Sequence, residues 1–256
     1  MKNKVTILGC GSSLGSPWIN NYWGSCDKKN PKNIRTRCSA HISFEGLSIL
    51  IDTSPDIKIQ FKKNNIKDVH AVLYTHEHAD HTSGIFELRP FVWKNKKKIP
   101  IFASKKTINR LKTSHTFCFL PRHGYTPIVK AKEIKNSFRI FKGNKYINFK
   151  AFEVQHGMIK STAYVFNKIA YISDCNFISN KHLRHLKGLN YLIIDCLKKR
   201  KHPSHFNFQE AINFSKRIAP NKTILTNLHV DLDYNKLKKN LPKNIIPAFD
   251  GLKFSF

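Results

Sequence analysis

Within six residues, the run His76-x-His78-x-Asp80-His81 gathers four side chains able to ligate a metal. Residues two apart in an extended segment share a face, so His76 and His78 can grip one cation together. Asp80 and His81, just beyond, can turn towards a second. Imidazole with carboxylate suits Zn²⁺, Mn²⁺ or Fe²⁺ and excludes all-thiolate chemistry. A solvated histidine-rich loop is the competing explanation. The apolar run 71–74 (Ala-Val-Leu-Tyr) directly before the motif argues against it, because such a run suits a buried strand. A pair of cations about 3.5–4 Å apart needs more ligands than this cluster provides. His156 and His229 are the natural further imidazoles, and Asp174 the natural carboxylate to bridge both ions. For each alone, a satisfied polar residue at a strand end is the ordinary reading; their joint order outweighs it.

These side chains need rigid carriers, and the apolar runs supply them. Runs at 5–8, 39–44 and 47–51 read as strands, the last ending at Asp52. Residues 55–63 have a helical character. Positions 146–154 alternate as a strand and end near His156, and 162–166 with 169–173 form a hairpin across Asn167-Lys168. A buried run at 191–194 ends at Asp195, 208–218 has helical spacing, and 223–225 leads to His229. Residues 254–256 are placed as a strand closing a sheet edge. Apolar strands thus end repeatedly in His or Asp, and strand ends meeting at one edge of a sandwich can aim distant side chains at a common point. The stretch 20–37 is polar and reads as a long surface loop.

The bulk numbers set bounds. A chain of 256 residues can bury a substantial core, and no repeat or composition break divides it, so one domain over 1–256 is expected. No segment approaches the ~20 apolar residues needed to span a bilayer. The run 5–8 is shorter than the roughly 7–15 residues of a secretory h-region, so a cytoplasmic protein without a membrane partner is expected. The six cysteines show no CxxC pair. Cys26, Cys38 and His41 are read as thiols and an imidazole near a strand, in preference to a further metal site. The formal charge of +29 favours polyanionic or phosphorylated partners. The lysines are dispersed, however, and the joint wealth of Lys, Asn, Ile and Phe fits an AT-rich genome equally well.

The order HxHxDH, lone His, Asp, final His resembles the metallo-β-lactamase superfamily of hydrolases, over nearly the whole chain. The resemblance implies an α+β fold, a four-layer αββα sandwich with two divalent metal ions (Zn or Mn, with Fe as a further candidate) at one edge. It implies that His76, His78 and His156 hold the first metal and Asp80, His81 and His229 the second, with Asp174 bridging. Asp52 matches the family's strand-end Asp that orients a metal-bound histidine, the support any such ligand requires. The opening 8–17, with Ser12 and Ser13 among glycines, is similar to the phosphodiesterase branch. That branch includes tRNA 3′-processing nucleases and the phosphoribosyl cyclic phosphodiesterase of phosphonate breakdown. The stretch 35–39 after 23–27 is closer to the latter. That relative carries a structural zinc on several cysteines near this loop; with Cys26 there, the extra site is expected to be missing. His202-Pro203-Ser204-His205 is similar to the segment in which this branch places the histidine that protonates the leaving oxygen. His205 is preferred over His202, and Asp195 is a candidate to orient it.

The expected reaction is hydrolysis of a phosphodiester, foremost a small cyclic phosphoribosyl-type phosphate. Asp80 or Asp174 would steer the attacking hydroxide, and His205 would act as general acid. Arg35, Arg37, Ser12 and Ser13 are candidate phosphate contacts, a guanidinium fork fitting phosphate oxygens. The rivals are an RNA-processing nuclease, a glyoxalase II-type thioester hydrolase, and a metal-stabilised RNA-binding protein without activity. RNA is therefore an alternative partner, and a homodimer is compatible with the reading.

Overall fold

In the computed structural model, which describes residues 3–121 and 124–256, two seven-stranded sheets face each other. The first runs β14-β1-β2-β3-β4-β5-β6, built from β1 (Lys4–Gly9), β2 (Ser39–Phe44), β3 (Leu47–Ile51), β4 (Ala71–Leu73), β5 (Ile99–Ala103), β6 (Val129–Glu133) and β14 (Lys253–Ser255). The second runs β13-β12-β11-β10-β9-β8-β7. It contains β7 (Ser137–Lys142), β8 (Lys145–His156), β9 (Ile159–Phe166), β10 (Ile169–Ile172), β11 (Tyr191–Asp195), β12 (Lys222–Thr226) and β13 (Ile245–Pro247).

Period-two alternation separates the layers. Ile49 and Ile51 point between the sheets with Ala71, Leu73, Ile193 and Ile224. Leu50 and Val72 point outward, beneath α1 (Ile57–Asn64), α3 (Arg89–Asn95), α4 (Lys105–Ser114) and α5 (Thr116–Phe119). Leu192, Ile194 and Leu225 face the opposite way, under α6 (Phe208–Ile218) and α7 (Tyr234–Asn240). Strands buried on both faces read as continuous apolar runs, as the 191–194 segment does. The expected αββα sandwich is therefore present. The helix expected at 208–218 forms with a capping box, Asn207 accepting from the Glu210 amide while Glu210 accepts from the Asn207 amide.

Both sheets are mixed. β3, β4 and β5 run parallel, as do β10, β11 and β12, so their carboxyl ends share one edge. The hairpin expected across Asn167-Lys168 pairs Ile169 with Phe166, both turn residues having positive φ. The expected edge strand pairs with β1. The stretch 20–37 corrects the sequence reading. It is no simple surface loop: Cys26, Asn33 and Arg35 are buried, and Ser16 and Arg35 bridge antiparallel. All six cysteines are free and buried. Among the described residues, no helix is long and apolar enough to cross a membrane.

Candidate metal centre

The carboxyl ends of the parallel strands carry the site. After β4, Thr75 and His76 enter an extended segment that passes into α2 (Ala79–Thr82). Thr53, after β3, receives the Gly84 amide at 2.9 Å, which closes the motif against the first sheet. Only a glycine fits at that approach, because a Cβ on Gly84 would lie 2.1 Å from the Ser54 carbonyl oxygen. The second sheet is fastened to the same segment: the Thr162 amide donates to the Thr75 carbonyl at 2.8 Å and Tyr164 Oη to the Tyr74 carbonyl at 2.6 Å.

Three groups of side chains converge, each with ligand atoms within 4.8 Å of one another: His76, His78 and His156; His76, His81 and Asp174; and His156, Asp174 and His205. His76 Nε2 and His78 Nδ1 stand 2.9 Å apart, and His156 Nε2 is 3.3 Å from that same His78 Nδ1. The Ser204 carbonyl, 2.7 Å from His156 Nδ1, can only accept, so Nδ1 carries the hydrogen and Nε2 turns a lone pair to the cluster. Asp52 fixes His81 in the same sense, its Oδ2 lying 2.7 Å from His81 Nδ1. Asp52 also accepts from the amide and hydroxyl of Thr75, and it adopts φ +61°, a left-handed conformation that Asp tolerates better than most side chains.

What faces the free side of His81 decides whether cations fit. Its Nε2 is buried without a hydrogen-bond partner, 3.2 Å from Asp174 Oδ1, which is equally unpartnered, and 3.4 Å from Asp80 Oδ2. A lone pair and two carboxylate oxygens in van der Waals reach, the ring and Asp174 buried and Asp80 at the edge, repel unless positive charge lies between them. Burial pulls His81 down, yet the charges of Asp174, Asp80 and Asp52 outweigh it and hold the ring well above its ordinary value. Burial, then the neighbouring His81, keeps His76 well below its own, hence neutral and able to donate a lone pair. The donor set thus fits divalent cations on chemical grounds.

His205 stands at the rim, its ring 4.6 Å from that of His156 and its Nδ1 2.8 Å from Asp195 Oδ2. Asp195, at the end of β11, also accepts from the Cys175 amide and from Asn227 Nδ2. Burial lowers His205, but the charge and hydrogen bond of Asp195, with Asp174 behind, push it up to about 9. His202 lies further out, its Nδ1 3.2 Å from Ser204 Oγ.

Three expectations meet a different geometry. Arg35 is no phosphate clamp: it is fully buried, donating to the carbonyls of Leu232 (2.6 Å) and His229 (3.2 Å) and to Asn33 Oδ1 (3.0 Å). Its fork satisfies a turn's carbonyls, a role that charge and loop position conceal. Ser12 is buried too, its amide directed at the Leu228 carbonyl. His229 does not join the three groups. Its Nδ1 lies 3.1 Å from Asp231, and its ring meets Trp18 edge-on with centroids 5.7 Å apart. The third group instead contains His205. Arg37 and Ser13, by contrast, line a cavity with Asp80.

Sequence reasoning missed Thr75, the Ser204 carbonyl and Asn227. Asn227 follows β12 with φ +61°, and the Thr-Asn pair at a strand end was the available sign.

Residues 48–227 match a family model described as "Beta-lactamase superfamily domain". A curated relative from Porphyromonas gingivalis, named octanoyltransferase, is 30% identical over 256 residues, covering 98% of this chain. The chain spans 51% of that relative's length. Among solved structures, a diphosphatase of the PhnP family superposes with a TM-score of 0.91 at 29% identity, covering 100% of this chain and 98% of its own. The short form of human tRNase Z gives 0.70 at 19% identity, covering 98% of both chains, a likeness of fold alone.

Proposed function

We propose that this chain, which belongs to the β-lactamase superfamily by the domain spanning residues 48–227, is a metal-dependent phosphodiesterase acting on a small ribose-phosphate ester. The observation that carries the reading is the His205–Asp195 pair set against Asp174 at the rim of the cluster. The diphosphatase relationship supports phosphorus chemistry, and cyclic ribose phosphates are the first substrates to try.

His76, His78, His156, Asp80, His81 and Asp174 would hold two divalent cations, zinc or manganese first. His229, outside the three groups, has its Nδ1 held by Asp231, which leaves Nε2 as the nitrogen that would join. When bound, such ions offset charge growing on phosphoryl oxygens and make water more acidic. Asp80 and Asp174 accept from the attacking water and orient it. Asp195 holds the Nδ1 proton of His205, which leaves Nε2–H to protonate the departing oxygen.

Hydrolysis of bis-p-nitrophenyl phosphate tests this. His205→Ala should keep its metal and lose about 10²–10⁴-fold in turnover, the usual worth of a general acid. Loss of metal would make His205 a ligand, and a wild type that cleaves a glutathione thioester but no diester would sink the phosphodiesterase reading. A longer RNA substrate is the second reading, favoured by a cleft of about 740 Å³ lined by Lys105, Lys106, Lys135 and Lys181, whose Lys106 reaches Glu77 at 3.0 Å. A steep fall of RNA affinity with salt would support it.

A further inference from the structure

Beyond Asp80 the site opens into a second space. A cavity of about 470 Å³ is lined by Asp80 and Arg37 on one hand and by Leu14, Trp18, Ile19 and Ser13 on the other. Its apolar wall is uncovered: Leu14 is 54% exposed and Ile19 wholly so. Exposed apolar side chains beside a reactive centre mark a place for the body of a ligand, and the volume falls within the range of about 300–1,000 Å³ typical of small-molecule sites.

The wall is held rather than loose. Ser16 and Arg35 exchange backbone hydrogen bonds of 2.8 and 2.7 Å, and the buried Arg35 side chain ties the same strip to the Leu232 carbonyl. Trp18 leans on Tyr22 with ring centroids 4.7 Å apart and on His229 at 5.7 Å, and its indole nitrogen is shielded without a hydrogen-bond partner. Asp56 accepts the Arg37 amide at 2.9 Å and forms an ion pair with the guanidinium Nε at 2.9 Å, and among the described residues nothing pairs with the terminal nitrogens of Arg37.

We propose that this cavity holds the base of a nucleoside whose phosphoester lies at the metal centre, with Trp18 as the stacking surface and Arg37 facing the anionic ester. The proposal rests on the phosphodiesterase reading and names its substrate class. A base is planar, with apolar faces for Trp18 and Leu14 and polar edges for Ser13 and Asn20, which also lines the cavity. Stacking of a base on an aromatic side chain contributes about 1–3 kcal/mol, so a nucleoside ester should gain about 5- to 150-fold over an ester lacking the base.

Two esters with one leaving group isolate that gain: p-nitrophenyl thymidine 5′-phosphate and methyl p-nitrophenyl phosphate. The metal-loaded protein should prefer the first in kcat/KM by at least about 5-fold. Trp18→Ala should cut the ratio of the two most of the way to one, and Trp18→Phe should keep most of it. A wild-type ratio near one, or an unchanged ratio in Trp18→Ala, overturns the proposal. If neither ester is cleaved, the phosphodiesterase reading falls and the cavity is judged separately by AMP binding to the metal-loaded protein. Quenching of tryptophan fluorescence by AMP that disappears in Trp18→Phe supports the base site. Equal quenching in both proteins, or none in either, overturns it.

Discussion

His81 shows how much a single ring can carry. Nδ1 is committed to Asp52, and Nε2 faces the unpartnered Oδ1 of Asp174 and a carboxylate oxygen of Asp80, so three acidic groups surround one fully buried imidazole. His205 is the milder version, with one buried carboxylate behind it and solvent at its edge. Its raised value sets the sign of a prediction. A general acid works in its protonated form, so activity should hold up to about pH 9 and fall as pH rises through that value. Asp195→Asn removes the larger of the charges that lift the ring, leaving burial opposed by Asp174 alone. The falling limb of the pH–rate profile should then move by at least one pH unit towards the acid side. A limb that stays in place would show that another group titrates there.

Among the elements, the strands act as rods and the tight turns as clamps. Asp52 and Asn227 both sit just past strand ends in left-handed conformations, where each accepts or donates across the site. Gly84 clamps the motif's short helix to the β3–α1 connection. Because a methyl group there meets a backbone oxygen, Gly84→Ala must push the two segments apart at a cost of about 1–3 kcal/mol. That displacement also separates Asp52 from His81. Urea unfolding should report the loss of stability, and metal content should fall with it. A variant as stable and as metal-rich as the wild type would show that the clamp does not position the centre.

Across the entire chain, opposed acidic and imidazole groups buried at the sandwich edge oppose folding until a cation neutralises them. Anything that binds the folded state alone stabilises it by mass action, about 2.7 kcal/mol at one hundred times the dissociation constant. Thermal unfolding should therefore rise in midpoint by several degrees with added Zn²⁺ or Mn²⁺, and chelation should reverse the shift. Asp174→Ala takes away the carboxylate shared by two of the three ligand groups, so its midpoint should no longer respond. A midpoint indifferent to metal in the wild type would count against the centre.

Much of this could be read from the order of residues alone. Short apolar runs pointed to β3, β10, β11 and β12, alternation to β8 and helical spacing to α6, because each pattern depends on which sides of an element are buried. Histidines and aspartates following such runs marked the cluster for the same reason, since a strand end has a fixed direction. The region 83–145 carries mixed, lysine-rich patterns and yielded no elements to that reading, although α3, α4, β5, β6 and β7 lie there. Tertiary structure alone decided the rest. Arg35 looks like a surface cation until the carbonyls of residues nearly two hundred positions away close around it. His229 closely follows the β12 run, whereas His205 lies ten residues past the end of β11; tertiary packing nonetheless sends the His229 ring to Trp18 and Asp231 and brings His205 into the cluster. Local pattern fixes whether a side chain faces a core or an edge; which partners meet it there depends on distant backbone that no local pattern encodes.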